Sequence, residues 1–430
     1  MSEKTTLKGS NQSLVKVTNQ KLIIQEVREG KQLSRSDLAK KLQLSNPSVS
    51  KHVDDLLAKG LLIETGSLVT DVGRRPIMLE FNGTHGCVAV IDLSSTDARL
   101  FVADLLGNKL EYSRVDGGQI ITAETLERII LTLHDMLTNL GERCGKLVGV
   151  CIGVPGVIEP ETGRIRWSSR MENYETLDLK TMFEESFRAP VIVKNDVNLA
   201  VVGEQNYGAG VGLETMMLIN IDAGIGMSVI LGGKLYEGAS GIACDIGVHM
   251  TMTDEEMETL TTCGDAMRYT LERRINVAKL TENVAEMMES GRETVLRDWV
   301  ASGEELTFDD VVRAYGMNDP LVVQGVRRFA RNIAVLCKNM CSLFDVETVM
   351  FGGAAAKLGN SFLNEITAFF GVLPGYSTAE LTLSKLFDTG VIFGGVRTAT
   401  DYAIDRIIAN DSYRPAEPGA EEVITEEETE

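Results

Sequence analysis

Apolar residues recur at helical spacing in three short blocks near the start of the chain. Ile23 and Val27 share one face of the stretch 19–29, which Gly30 closes. Ser34-Arg35-Ser36-Asp37 has the form of a capping box ahead of Leu38, Ala39 and Leu42, and predicts a second, short helix. Ser45 caps a third, with Pro47 in its first turn and Val49, Val53, Leu56 and Leu57 at i, i+4, i+7 and i+8. Gly60 ends it, and 61–65 and 77–81 read as short strands bracketing a polar loop at 66–76. Three helices and a two-stranded wing are predicted.

A different grammar starts at 87–92, a buried-strand run followed by a turn, a strand at 99–104, a second turn and a third strand. After this meander, Leu126, Ile129, Ile130, Leu133, Met136, Leu137 and Leu140 recur at helical spacing behind Thr122, and 147–152 is a continuous apolar strand. The same style returns later, with strands at 216–221, 227–231 and 347–351 and helices within 255–345, 360–370 and 393–408. Two α/β lobes of similar grammar are predicted. From 412 onward Pro415, Pro418 and seven Glu read as a disordered, solvated end.

Composition agrees with an ordinary globular protein of two or three domains: 430 residues, 44% hydrophobic and 24% charged. No run of about 18 uncharged apolar residues occurs, and no apolar core follows the N-terminal charges, so neither a membrane span nor a signal is expected and the protein is placed in the cytoplasm. Cys87, Cys144, Cys151, Cys244, Cys263, Cys337 and Cys341 are scattered, mostly among apolar residues, and read as reduced buried thiols without a disulfide framework.

The net charge of -20 argues against a nucleic-acid binder until it is divided. Residues 1–82 hold 13 Lys and Arg against 9 Asp and Glu, which leaves -24 for the remainder. A mildly basic module on an acidic body suits contact with DNA through the module alone. A helix-turn-helix lays its second helix in the major groove, which singles out Ser45, Asn46, Ser48, Ser50 and Lys51. Asn pairs bidentately with adenine, Ser reads several bases, and Lys51 joins Lys40, Lys41, Arg74 and Arg75 in neutralising phosphates. Arg35, at the start of the preceding helix, is placed with them. The other reading of such a unit is a protein-interaction module, against which stands the absence of acidic residues between Asp37 and Asp54.

The ordered set Leu44-Ser45-Asn46-Pro47-Ser48-Val49-Ser50, Gly73-Arg74-Arg75-Pro76, Gly153-Val154-Pro155-Gly156 and Asn195-Asp196-Val197-Asn198 resembles the ROK family of repressors, open reading frames and kinases, over residues 15 to about 410. It looks most like the sugar-responsive repressors of xylose or N-acetylglucosamine type. The resemblance implies an α/β chain: a winged helix-turn-helix (1–82), then a two-lobed, actin-like (ribonuclease H-like) body at 83–411, then the tail at 412–430. Lobe I would comprise 83–198 and the C-terminal helix 390–411, and lobe II 199–389. It further implies a sugar or sugar derivative held in the cleft by Gly153, Pro155, Gly156, Asn195, Asp196, Asp245 and His249. A second reading of Asn195-Asp196 is that the pair only caps a helix.

Kinase members of the family carry Asp-x-Gly-Gly-Thr at the first hairpin, where this chain has Asp92-Leu93-Ser94-Ser95-Thr96. Left-handed backbone at Ser94 or Ser95 would cost about 1–2 kcal/mol per residue. The family's Gly-Thr-Gly reads Asp222-Ala223-Gly224, which sets a carboxylate beside a would-be polyphosphate. ATP binding is therefore expected to be lost, no cofactor is implied, and Asp196, at the position of the kinases' general base, is left as a hydrogen-bond acceptor. The family's zinc motif is reduced to Cys263 and a displaced His249, so no metal site is expected. The Glu and His that the family's Glu-x-Gly-His offers to sugar hydroxyls are replaced by Asp245 and an out-of-step His249, and a shorter carboxylate binds through a different sugar or through water. The expectation is a non-enzymatic repressor of carbohydrate genes, with double-stranded operator DNA and a sugar effector as partners, acting as a homodimer or tetramer without a membrane. The alternatives are an ATP-dependent sugar kinase and a regulator controlled by a protein partner.

Overall fold

The structure is a computed structural model that describes residues 12–30, 32–66, 77–249, 253–258, 260–262, 266–300, 305–410 and 412–413. The N-terminal module holds helices α1 (Gln12–Gly30), α2 (Arg35–Leu42) and α3 (Asn46–Ala58) and strands β1 (Leu33–Ser34), β2 (Leu62–Thr65) and β3 (Met78–Phe81). Ser34 caps α2 in a full capping box with Asp37, and Ser45 caps α3 ahead of Pro47.

Two features of the module depart from the sequence reading. Helix α1 begins at Gln12 rather than 19, because its first turns leave Leu14 and Val15 exposed and no apolar stripe marks them. The wing is a three-stranded sheet in the order β1-β3-β2, since Leu33 and Ser34 pair with Leu79 and Met78. A two-residue strand is too short to show alternation. The wing loop at 67–76, with Arg74 and Arg75, lies outside the described residues.

The body opens on the meander β4 (Cys87–Asp92), β5 (Asp97–Asp104) and β6 (Lys109–Asp116). Helix α4 (Ala123–Leu140), β7 (Leu147–Val154), the hairpin β8 (Val157–Ile158) and β9 (Ile165–Trp167), α5 (Leu179–Phe187) and β10 (Val191–Asn195) follow. Next come α6 (Asp196–Tyr207), β11 (Met216–Ile221), β12 (Ile225–Leu231) and β13 (Lys234–Leu235). A helical stretch runs through α7 (Asp254–Glu258), α8 (Leu271–Arg274), α9 (Val277–Glu289), α10 (Leu296–Val300), α11 (Phe308–Gly316) and α12 (Pro320–Phe344). The chain closes with β14 (Thr348–Gly352), α13 (Gly359–Val372), β15 (Glu380–Leu383) and α14 (Gly390–Ala409).

These strands build two five-stranded sheets, β10-β7-β4-β5-β6 and β13-β12-β11-β14-β15, on one plan. Each has an antiparallel meander on one side and two parallel strands on the other. Strands β4, β7, β11 and β14 are buried along nearly their whole length, as parallel strands covered on both faces must be. One apolar core lies around β4, β7 and α4, and a second around β11, α12 and α13. A third runs from Ile23 and Leu56 of the module through Val90 and Leu199 to Val391 and Ile407 of α14. No helix among the described residues is long and apolar enough to cross a membrane.

The cysteines require a correction. Cys87 and Cys144 are joined in a disulfide, whereas Cys151, Cys244, Cys337 and Cys341 are free. The partners are 57 residues apart in sequence with Cα atoms 5.4 Å apart. Parallel pairing of Cys87 with Leu147 at the start of β7 brings them together, a proximity no spacing rule reveals. Cys263 lies outside the described residues.

Candidate DNA-binding surface and ligand cleft

Helix α3 buries Val49, His52, Val53 and Leu56 against the module and turns its other face outward. Ser45, Asn46 and Lys51 are exposed, and Ser48 and Ser50 are half-buried. The Ser45 hydroxyl accepts the Ser48 amide, so it serves the cap as well as the surface. Asn46 and Ser50, at i and i+4, stand on one side of the helix. Two of the expected cations are already engaged. Arg35 ion-pairs with Asp54 at 2.6 Å and Glu64 at 3.0 Å, bracing α2 against α3 and the wing, and Lys41 pairs with Glu26 at 2.6 Å. The free cationic surface of the described module therefore centres on Lys51 and exposed Lys40.

The cleft residues of lobe I meet at the ends of β7 and β10. Asn195 caps α6 by accepting the Asn198 amide at 2.9 Å, and its Nδ2 donates to the Gly156 carbonyl at 2.9 Å. The side chain thus caps the helix, as the second reading has it, and also ties α6 to the Gly156 loop. Gly156 has φ of 144°, and a Cβ there would strike the Trp167 carbonyl, so only glycine lets the loop pass. The Pro155 carbonyl accepts from Ser168 Oγ at 2.7 Å, pinning the same loop. Gly153 lies beneath, where a Cβ would meet Val391 of α14 at 2.9 Å.

Asp196 follows in the first turn of α6, half-buried. Burial, with the negative charges of Asp92 and Asp222, pushes its carboxyl up to about 7. Asp92 is fully buried and ion-paired with Arg99, directly across the β4–β5 ladder. The Ser94 amide donates to Asp92 Oδ1 at 2.9 Å, and neither Ser94 nor Ser95 adopts left-handed backbone. The hairpin has therefore avoided the expected strain by taking a turn that serine tolerates. Arg170 is close enough for its charge to be felt by Asp92 and Asp196, while burial works against its ionisation. One of its terminal nitrogens donates to the Gly118 carbonyl at 2.8 Å, and its buried Nε finds no partner among the described residues.

The lobe II candidates gather around a different turn. Asp245 is half-buried and His249 exposed. Burial raises the Asp245 carboxyl, with His249 and the Gly247 amide opposing. Glu272, also raised by burial, abuts Asp245 and the turn at Gly224. In that turn Asp222 Oδ1 accepts the Ala354 amide at 2.9 Å, and Asn220 donates to Oδ2 at 3.2 Å. A carboxylate thus holds the amide at the start of the 3₁₀ turn Ala354–Leu358, where a phosphate would need donors. Among the described residues no cluster of three or more His, Cys, Asp or Glu side chains is arranged to hold a metal.

Comparison with known proteins places this architecture. The ROK family matches residues 88–372, and a winged helix-turn-helix DNA-binding domain matches residues 18–63. The chain belongs to the ROK family.

Among ROK relatives, a protein named putative xylose repressor from Caldicellulosiruptor sp. (strain Rt8B.4) is 25% identical over 393 residues, covering 90% of this chain and 96% of that one. A glucokinase of Halalkalibacterium halodurans is 30% identical over 292 residues, covering 67% of this chain and 86% of that one. The crystal structure of a ROK family transcriptional regulator, described as a homologue of the E. coli MLC protein, superposes with a TM-score of 0.77 at 19% identity, covering 92% of this chain and 98% of that one. The shared fold is thus a winged module on a ROK body. Within this ROK chain, Arg99, Arg170 and Glu272 are the cleft-side charges that sequence reasoning missed. Arg99 had a usable signal, since a charge within the apolar run of β5 needs a buried partner. Arg170 and Glu272 had none, because the loop that carries the one and the short helix α8 that carries the other are placed only by tertiary contacts.

Proposed function

We propose that this ROK protein is a sugar-responsive transcriptional repressor whose body no longer binds ATP, acting in the cytoplasm as a homodimer or tetramer on operator DNA. Asp222 carries the loss of ATP: its carboxylate occupies the backbone donor at the phosphate turn and would repel a polyphosphate. Ligand sensing is supported by the loop Gly153–Gly156 held to Asn195 and by the unpartnered Nε of Arg170, a donor that a hydroxyl or a bound water would satisfy. Relatives named xylose repressor, similar over nearly their full length, support a sugar as effector. Residues 1–82 are assigned to operator reading through Ser45, Asn46, Ser48, Ser50, Lys51 and the wing arginines Arg74 and Arg75. Residues 83–411 are assigned to sensing through Gly153, Pro155, Gly156, Asn195, Asp196, Asp245 and His249, with 412–430 as an appended tail.

The mechanism is a population shift: a ligand that binds better when the lobes close changes the spacing of two winged modules, which no longer match half-sites about 34 Å apart. The test is binding of the purified protein to DNA upstream of its own and neighbouring genes, with and without a panel of pentoses, hexoses, amino sugars and their phosphates. Specific binding released by one sugar is expected. Kinase activity is the second reading, favoured by the glucokinase relative. An ADP-release assay with magnesium, ATP and the same panel decides it, and robust turnover would overturn the proposal.

A further inference from the structure

Helix α14 connects the cleft to the DNA-binding module. Its 20 residues span about 30 Å. At its N-terminal end Val391 packs beneath Gly153. There it also crosses α6, the helix that begins with Asp196, backbone against backbone. A Cβ at Gly394 would collide with the Leu199 carbonyl, and one at Gly203 with the Gly390 carbonyl. Glu204 of α6, almost fully buried, accepts from Ser384 Oγ at 2.5 Å and from the Leu386 amide at 2.8 Å, locking the segment that leads into α14. The Gly153 loop and α6 are therefore packed against α14 with no room for a side chain at these crossings.

At the other end, the Ile407 and Ile408 carbonyls accept hydrogen bonds from Lys59 Nζ at 3.1 and 2.7 Å. Lys59 is the C-cap of α3, the recognition helix, and its side chain is wholly buried. Asp55 of α3 stands 3.9 Å from the ammonium. A lysine is rarely buried in this way, and here the partial negative charge at the end of α14, about half an elementary charge, compensates it. The surrounding pairs Arg28–Asp401 and Lys21–Asp405, at 2.8 and 2.7 Å, are more exposed and individually weak. Apolar side chains of α3 and of the last turns of α14 belong to one continuous core.

We propose that Lys59 is the coupling residue through which the state of the cleft reaches the recognition helix, with α14 as the rigid link. The inference rests on the ligand-sensing reading above for its purpose, but its test requires neither a sugar nor DNA. Hydrogen exchange of the α3 amides is measured in the wild type, Val391→Ala, Lys59→Met and the double variant, with α4 as the internal reference for global destabilisation. Val391→Ala, at the cleft end, raises α3 exchange at least about threefold relative to α4 while Lys59 is present, and adds nothing in the Lys59→Met background. Lys59→Arg retains the response. Equal effects of Val391→Ala in both backgrounds, or none in either, would overturn the proposal. Should Lys59→Met fail to fold, Lys59→Gln, which keeps a donor but loses the charge, takes its place in the same cycle. A protein that shows the coupling yet responds to no sugar would refute the sensing reading alone.

Discussion

Lys51 is an exposed cation on a helix whose buried face is already committed, which suits the phosphate contact proposed for it. Lys51→Ala should weaken binding to all sequences alike and reduce the slope of log K against log salt by about 0.9, read by fluorescence anisotropy across a salt series. Asn46→Ala should instead cost about 1–3 kcal/mol at one base position and relax the preference there. Equal loss on every sequence for Asn46→Ala would remove it from base reading. Asp196 gives a pH prediction. Its carboxyl is raised from 3.8 to about 7 in the fold, so the unfolded chain releases that proton more readily. Its contribution therefore destabilises progressively as pH rises from about 4 to about 7, then levels off. The melting temperature of Asp196→Asn relative to wild type should climb between pH 4 and pH 8, and a constant offset would contradict the assignment.

At the scale of elements, caps decide where the module's helices begin. Ser34 is buried, its hydroxyl accepts the Asp37 amide, and Asp37 returns a bond to the Ser34 amide at 3.0 Å. Ser34→Ala should cost about 1 kcal/mol of module stability, measured by denaturant unfolding, while Ser36→Ala at the exposed neighbouring position costs less. Equal losses would show that the box is incidental. The same capping chemistry made α2 and α3 legible in the sequence, because a cap needs only residues three apart. The first turns of α1 were not legible, since their outward apolar residues break the stripe that marks a helix. Strand β1 escaped because two residues acquire strand geometry only from the partner they pair with.

For the whole molecule, the repeated sheet plan sets charges from both lobes at the proposed cleft. Asp92, Arg99, Arg170 and Asp196 lie on lobe I, and Asp222, Asp245 and Glu272 on lobe II. A ligand that binds this cleft in the folded state raises stability by mass action. Thermal shift with the effector at 100 times its dissociation constant should correspond to about 2.7 kcal/mol. A panel in which no sugar shifts the transition would point instead to a protein partner as the controlling input.

The sequence by itself determined the module's three helices and two of its wing strands, the first meander, the order of motifs and the carboxylate at Asp222, because each is written in residues near one another along the chain. Tertiary structure decided what those residues face. It tied Arg35 to Asp54 and Glu64, joined Cys87 to Cys144, brought Arg170 and Glu272 to the cleft, and set Lys59 against the end of α14. Periodicity and caps report local geometry, whereas the partner of a buried charge or thiol is chosen by strand register and helix crossing among segments distant in sequence.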